Sequence, residues 1–396
     1  MAGNYSYQGA DFDNLFLKDY NVLDQTVGAG SLLVWGNNNN GMLGTNNTTP
    51  YSSPVQTVSG GTTWKQISMG SFSMGGIKSD NTLWMWGQGN SGQLGDGTYV
   101  DKSSPVQVSG TTWKEVSCGG AVTGAIKTDG TLWMWGSNFY YGGLGNGNNT
   151  ASNSPIQTIS AGNNWKQLSV GGNSVGAIKT DGTLWVWGRN NFGQLGLNDT
   201  TPRSSPTQTV AGGTNWKQVS VAPFIAGAIK TDGTLWMLGG WGDYGGMGDG
   251  TSVSKSSPVQ VGSDTTWKQV AAQQIGCSAI KTDGTLWLWG IGEYGNLGTN
   301  ANVSKSSPVQ TIAGGTNWKQ VYPVPSNWAC ATKTDGTLWL WGTQNNNGNI
   351  GRMTNTNYSS PVQTSSGGTN WKQASGGGYN AGAIHFFDSI DSYPNS

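Results

Sequence analysis

The sequence predicts an all-β fold, a seven-bladed β-propeller of four-stranded blades, and three observations predict it. Trp-Gly recurs at Trp35, Trp86, Trp135, Trp187, Trp289 and Trp341, with a Leu238-Gly239 copy in the gap, at spacings of 51, 49, 52, 51, 51 and 52 residues. Ser-Pro-x-Gln keeps the same beat at Pro54, Pro105, Pro155, Pro206, Pro258, Pro308 and Pro361. Trp-Lys does so at Trp64, Trp113, Trp165, Trp216, Trp267, Trp318 and Trp371. Seven copies of three independent markers define a repeat that runs end to end. That overrides the two or three domains that 396 residues would otherwise suggest.

Each copy holds four short segments of strand character: WKQIS, MGGIK, TLWMWG and a SSPVQ segment in the first full copy. Four antiparallel strands with short connections describe one propeller blade. Between the second and third segments stands TDGT, or SDNT at its first appearance; Asp-Gly suits a tight, two-residue hairpin because glycine accepts positive φ. In TLWMWG alternate side chains point to opposite faces, so Leu83 and Met85 meet one neighbouring blade and Trp84 and Trp86 the other. Both faces are apolar, as a sheet sandwiched between two others requires. Proline lacks an N–H and suits an outermost strand. The expected order from axis to rim is therefore WKQ, AIK, LWxWG, SPVQ.

The ends of the chain complete the ring. The last copy stops after Trp371-Lys372 and Ile384-His385, and the first begins at SLLVWG (31–36), with no strands of the repeat before it. The N-terminal strands are expected to complete the last blade, two strands plus two, leaving no unpaired seam. The chain then divides into an arm (1–30), a propeller (31–387) and a C-terminal tail (388–396).

Nineteen of the 21 tryptophans belong to the template and are read as core first. The six Leu-Trp residues (Trp84, Trp133, Trp185, Trp236, Trp287 and Trp339) are included. Formal net charge is zero, against the strong basic excess expected of a nucleic-acid binder. No apolar run approaches the length of a membrane span. The N-terminus carries early acids and no basic segment before an apolar stretch, so it does not read as a secretory signal. Cys118, Cys277 and Cys330 form no CxxC pair and read as buried thiols.

The string WGxNxxGQLG…SSPVQ…WKQVS…AIKTDGTLWxWG resembles the regulator of chromosome condensation repeat family, over residues 31–387. The resemblance implies a seven-bladed propeller, in agreement with the count, and functions that range over nucleotide exchange on a small GTPase with chromatin docking, enzyme inhibition and scaffolding. Eukaryotic members usually carry a histidine in the turn before the second strand. Those seven turns hold Ser71-Phe72, Ala121-Val122, Asn173-Ser174, Pro223-Phe224, Gln274-Ile275, Ser326-Asn327 and Gly378-Tyr379, which argues against exchange activity. The even copies, the Asn/Thr/Gly-rich loops and the arm are similar in style to bacteriophage-encoded repeat proteins of the virion.

No residues read as catalytic. The sole histidine, His385, replaces a repeat lysine at a strand end, and no metal set can be assembled around it. Gly87-Gln88-Gly89-Asn90-Ser91-Gly92 matches GxGxxG, but no helix follows. The GDGT loops at 95–98 and 248–251 lack the clustered carboxylates of calcium loops. No cofactor and no metal are expected.

A meander blade sends its loops to two faces. One carries the constant Trp-Lys lysines (Lys65, Lys114, Lys166, Lys217, Lys268, Lys319, Lys372) and turn pairs such as Lys127/Asp129, expected as solvated Lys–Asp pairs. Thirteen lysines against six aspartates and Glu115 leave it modestly basic. The other face is where the copies differ, and Phe72, Phe139, Tyr140, Phe224, Trp241, Trp328 and Tyr379 map there as candidate binding residues. Tyr141, Phe192, Tyr244 and Tyr294 share one repeat position and are set aside. The arm places Phe12, Leu15, Phe16, Leu17, Tyr20 and Leu23 at near-helical spacing, the pattern of an anchor. The expected function is non-enzymatic. One reading is a virion component, in a capsid or tail, held to other assembly proteins by its arm. The alternative is a stand-alone module, an adhesin or inhibitor that recognises a host surface protein or glycan through the variable face.

Overall fold

The computed structural model describes residues 30–386 except 140, 161, 241–243, 325, 343–347 and 355. β1 (Ser31–Gly36) and β2 (Tyr51–Gln56) lead into the first uninterrupted blade: β3 (Trp64–Met69), β4 (Ser73–Lys78), β5 (Leu83–Gly87) and β6 (Lys102–Val108). Five more blades, β7–β10, β11–β14, β15–β18, β19–β22 and β23–β26, occupy 113–157, 165–208, 216–260, 267–310 and 318–363. β27 (Trp371–Gly376) and β28 (Asn380–His385) end the series. Each sheet is a four-stranded antiparallel meander in the order the sequence predicts.

The seventh sheet runs β2-β1-β28-β27, so the N-terminal pair completes the C-terminal pair. β1 and β28 pair residue for residue from Ser31↔His385 to Gly36↔Asn380, without a bulge.

Blades pack through the faces that alternation assigns. Leu83 and Met85 join Trp113, Val116 and Cys118 of the next blade, while Trp86 joins Leu32, Val34 and Leu43 of the closing one. The Trp-Gly indoles are fully buried, and each reaches back to a loop of the preceding copy: Trp86 Nε1 donates to Met42 O and Trp135 Nε1 to Gln93 O, both at 2.9 Å. Gly95 lies under that indole at φ +67, and a Cβ there would stand 2.6 Å from Trp135 Nε1. Cys118, Cys277 and Cys330 are buried free thiols, and burial pushes that of Cys118 up to about 12.

Two elements differ from expectation. The hairpin turn has three residues rather than two. Gly130 N donates to Lys127 O (2.9 Å) and Lys127 N to Thr131 O (3.0 Å), enclosing Thr128-Asp129-Gly130 with Gly130 at φ +81. Asp129 is spent on fastening it, accepting from Thr131 N and Oγ1. A three-residue loop with a left-handed glycine also matches strand twist, so Asp-Gly alone does not choose between the two. The Leu-Trp indoles, Trp287 among them, are half-buried rather than core. Each donates to the turn threonine, as Trp287 Nε1 does to Thr285 Oγ1 at 2.8 Å.

The inner strands are joined by side chains. Gln218 Nε2 donates to Val270 O and Gln218 Oε1 accepts from Val270 N, both at 2.9 Å. Gln66 does the same to Val116, Gln167 to Val219, Gln269 to Val321 and Gln373 to Ile67. Two residues on, Ser68, Ser117, Ser169, Ser220 and Ser375 each accept a backbone N–H of the next blade at 2.8–2.9 Å. In the second blade Glu115 takes the glutamine's place and accepts from Leu168 N at 3.0 Å.

Candidate functional site

The inner strands end around the axis at the variable face. Residues 68–71, 117–119, 169–172, 221–223, 272, 323 and 375, drawn from all seven blades, line one small cavity of about 70 Å³. Its walls are glycine, serine and proline for the most part, with room for little more than water.

Of the seven aromatics predicted there, Phe72, Phe139 and Tyr379 are exposed, at 45%, 63% and 46%. Tyr140 and Trp241 lie outside the described residues. Trp328 is a correction. It is the first residue of β24, paired with Gly342, and is completely buried beside Val324 and Trp371. The cause is a glycine on the facing strand: a Cβ at Gly376 would lie 2.6 Å from the end of the Trp328 ring, so the indole fills space that a larger residue would close. Being outside the repeat template made Trp328 look like a surface residue; it is a local core substitution.

Phe224 is half-buried and belongs to a cluster that the sequence did not reveal. Its ring stands edge-on to Phe192, with centroids 5.0 Å apart. The guanidinium of Arg189 lies over three rings: Phe192 at 5.1 Å, Phe224 at 5.5 Å and Tyr141 at 5.5 Å. Arg189 follows directly on the third strand of its blade, Tyr141 comes from the blade before and Phe224 from the blade after, so three blades contribute. Stacking positions the planar cation without neutralising it. The available signal was Arg189 itself, where other copies carry Asn37, Gln88, Ser137, Gly240 and Ile291. Tyr141 and Phe192, discounted because their position repeats, are gathered here by that one substitution.

The constant face is built differently from the expectation of solvated Lys–Asp pairs. Each turn lysine lies between two indoles, as Lys127 does over Trp113 (5.0 Å) and Trp133 (4.1 Å). Glu115 is buried rather than part of that face, and burial pushes its carboxyl up to about 8 against the pull of the Leu168 N–H and of Lys114. Asp96 and Asp249 of the GDGT loops hold Thr98 and Thr251 and approach Lys102 (3.3 Å) and Lys255 (4.0 Å). His385 is buried with its ring edge-on to Trp371, centroids 4.7 Å apart. Among the described residues no three His, Cys, Asp or Glu side chains gather as a metal group would need. No helix among them is long and apolar enough to cross a membrane. The arm residues Phe12, Leu15, Phe16, Leu17, Tyr20 and Leu23 lie outside the described residues.

A closed ring of seven repeats with one constant face and one variable, aromatic-studded face defines a repeat propeller. The chain belongs to the RCC1-like family: the model described as RCC1-like domain matches residues 26–324, and that of the regulator of chromosome condensation (RCC1) repeat matches 335–384. It is similar to the ultraviolet-B receptor UVR8 of Arabidopsis thaliana, 27% identical over 307 residues, which are 75% of this chain and 69% of the receptor. Among solved structures it is similar to human WBSCR16 (TM-score 0.77, 21% identity, covering 90% of this chain and 99% of that one). It is also similar to yeast RCC1 (Prp20) bound to Kap60 (TM-score 0.79, 16% identity, covering 98% and 96%). At these identities the likeness to the two structures is one of fold.

Proposed function

We propose that this chain is a non-enzymatic binding protein that recognises its partner through the variable face, with Arg189 and its three rings at the centre of the contact. The observation that carries the reading is a cation placed among aromatics from three blades, with Phe72, Phe139 and Tyr379 exposed on the same face. Arginine and aromatic residues on a preorganised scaffold have the composition of interface hot spots, and flat rings also stack on sugars. The relatives agree in kind, one being a receptor by name and another having been solved with a bound protein. A host surface protein or glycan is the partner class we assign to this face.

The setting we propose is a phage particle, in capsid or tail, to which the arm holds the disc through neighbouring virion proteins. Its support is the arm's apolar set and the style of the repeat. Two experiments separate these statements. Binding of the purified chain to intact host cells and to a glycan array should be lost in Arg189→Ala combined with Phe224→Ala at unchanged melting midpoint. Binding that survives the pair refutes the variable-face reading. Phe16→Asp with Leu17→Asp should leave a folded propeller that no longer copurifies with particles. Wild-type incorporation of that variant removes the anchor and leaves the stand-alone module.

A further inference from the structure

The rings around Arg189 surround its charge without neutralising it. Tyr141, Phe192 and Phe224 are half-buried, and the guanidinium lies over all three at 5.1–5.5 Å. Its Nε is enclosed among them with no hydrogen-bond acceptor, while the outer edge that carries the Nη groups opens to solvent. Among the described residues no carboxylate lies within ion-pairing distance of it. The loop that Arg189 opens holds a single acid, Asp199, and that acid is taken: Arg203, where the loop ends, pairs with it at 2.6 Å. Lys102 and Lys255, at the same place in other copies, likewise meet an aspartate of their own loop, Asp96 at 3.3 Å and Asp249 at 4.0 Å. Arg189 is the cation that its own loop leaves for something else.

The chemistry of the cation specifies the charged group. A guanidinium among rings with one edge free offers parallel N–H donors, the fork that matches a planar carboxylate. The rings keep water from its flanks, and an ion pair formed beside apolar material is stronger than one in bulk water. The surroundings specify what carries that group. The cavity at the mouth has room for little more than water, so the face has no pocket there for the apolar anchor of a peptide. What flanks Arg189 is neutral and polar. Asn173, whose backbone O accepts from Arg189 N at 3.0 Å, and the exposed Asn191 carry amides, donor and acceptor in one group, that suit neighbouring hydroxyls.

We propose that the variable face takes an acidic glycan, with a sugar carboxylate seated on the Nη edge of Arg189 and the saccharide against the surrounding rings and amides. This rests on the variable face being the binding surface and adds what that surface recognises.

The test is an array of oligosaccharides ending in glucuronic, galacturonic or sialic acid, each printed beside its carboxyl-reduced form and probed with the full chain. At least one acidic glycan should bind, and carboxyl reduction should weaken it roughly tenfold or more, the loss of a charge-assisted pair. Arg189→Gln should lose the same factor, and Arg189→Lys, which keeps the charge without the fork, should recover only part of it. Arg203→Gln removes an equal charge from the end of the same loop and should stay within about twofold. Equal binding of acidic and reduced forms overturns the carboxylate, and equal weakening by Arg203→Gln reduces the effect to net charge. Binding that survives Arg189→Gln refutes the site. Should Arg189→Gln lower the melting midpoint, the reduced glycans decide alone, because they leave the protein untouched. An array without any bound glycan overturns the proposal; if cell binding is still lost in the Arg189→Ala, Phe224→Ala pair, the variable face stands and its partner is a protein.

Discussion

Trp328 and Trp287 show how far a single residue can be read from a repeat. Trp287 recurs in six copies yet is half-exposed, closing a turn through Thr285, whereas Trp328 occurs once and is fully enclosed. Urea melts should therefore show Trp328→Ala costing about 3–5 kcal/mol, the range for a large core aromatic, and Trp287→Ala distinctly less. Equal losses would mean that the space over Gly376 collapses around the smaller side chain. Glu115 makes a second prediction. With its carboxyl near 8 in the folded chain and an ordinary value near 4.5 unfolded, both states hold the proton in acid and its contribution is complete there. As pH rises between those values only the unfolded chain releases the proton, so stability falls, and above about 8 the slope vanishes. Glu115→Gln restores the neutral amide that other copies carry. It should be more stable than the wild type at pH 8, with the gap narrowing toward pH 5. A constant gap across that range would show that Glu115 does not titrate as its burial requires.

At the scale of the element, strand identity and order were legible because pattern and punctuation agree. Alternation makes both blade faces apolar, proline marks the rim, and Asp-Gly marks the turn even though its length came out at three residues. The inter-blade rungs were not legible. Glutamine at the third position of an inner strand looks like an exposed polar residue until its neighbour's backbone is in place; Gln218 is in fact 2% exposed and satisfies both polar groups of Val270. Gln218→Leu should cost about 1–3 kcal/mol, the penalty for leaving a buried N–H and C=O unpaired. A neutral result in thermal and urea melts would assign the cohesion of the ring to its tryptophans alone. The site was legible only in part for a related reason. Sequence identified the variable face and its exposed Phe72, Phe139 and Tyr379, but the gathering of Tyr141, Phe192 and Phe224 depends on a guanidinium whose reach across three blades no local pattern encodes.

For the whole molecule, the proposed function requires a ring stiff enough to hold loops from different blades in one arrangement, and stiffness rests on closure. Six blades are contiguous in sequence, and the seventh exists only because β1 pairs with β28, joining the β1–β2 hairpin to the β27–β28 hairpin. Six consecutive residue pairs join Ser31–Gly36 to Asn380–His385, and Gly30 exchanges both backbone hydrogen bonds with Trp64 at 2.9 and 3.1 Å. Removing that strand bares an edge on each side of the seam and uncovers Trp64 and Trp371. The most direct measurement compares the melting midpoints of two deletions, one lacking residues 31–36 and the other residues 1–25. A large drop for the first, with the second close to wild type, is the predicted result. Comparable midpoints for the two would contradict closure by the N-terminal strands, and with it the rigid two-faced disc on which both binding proposals stand.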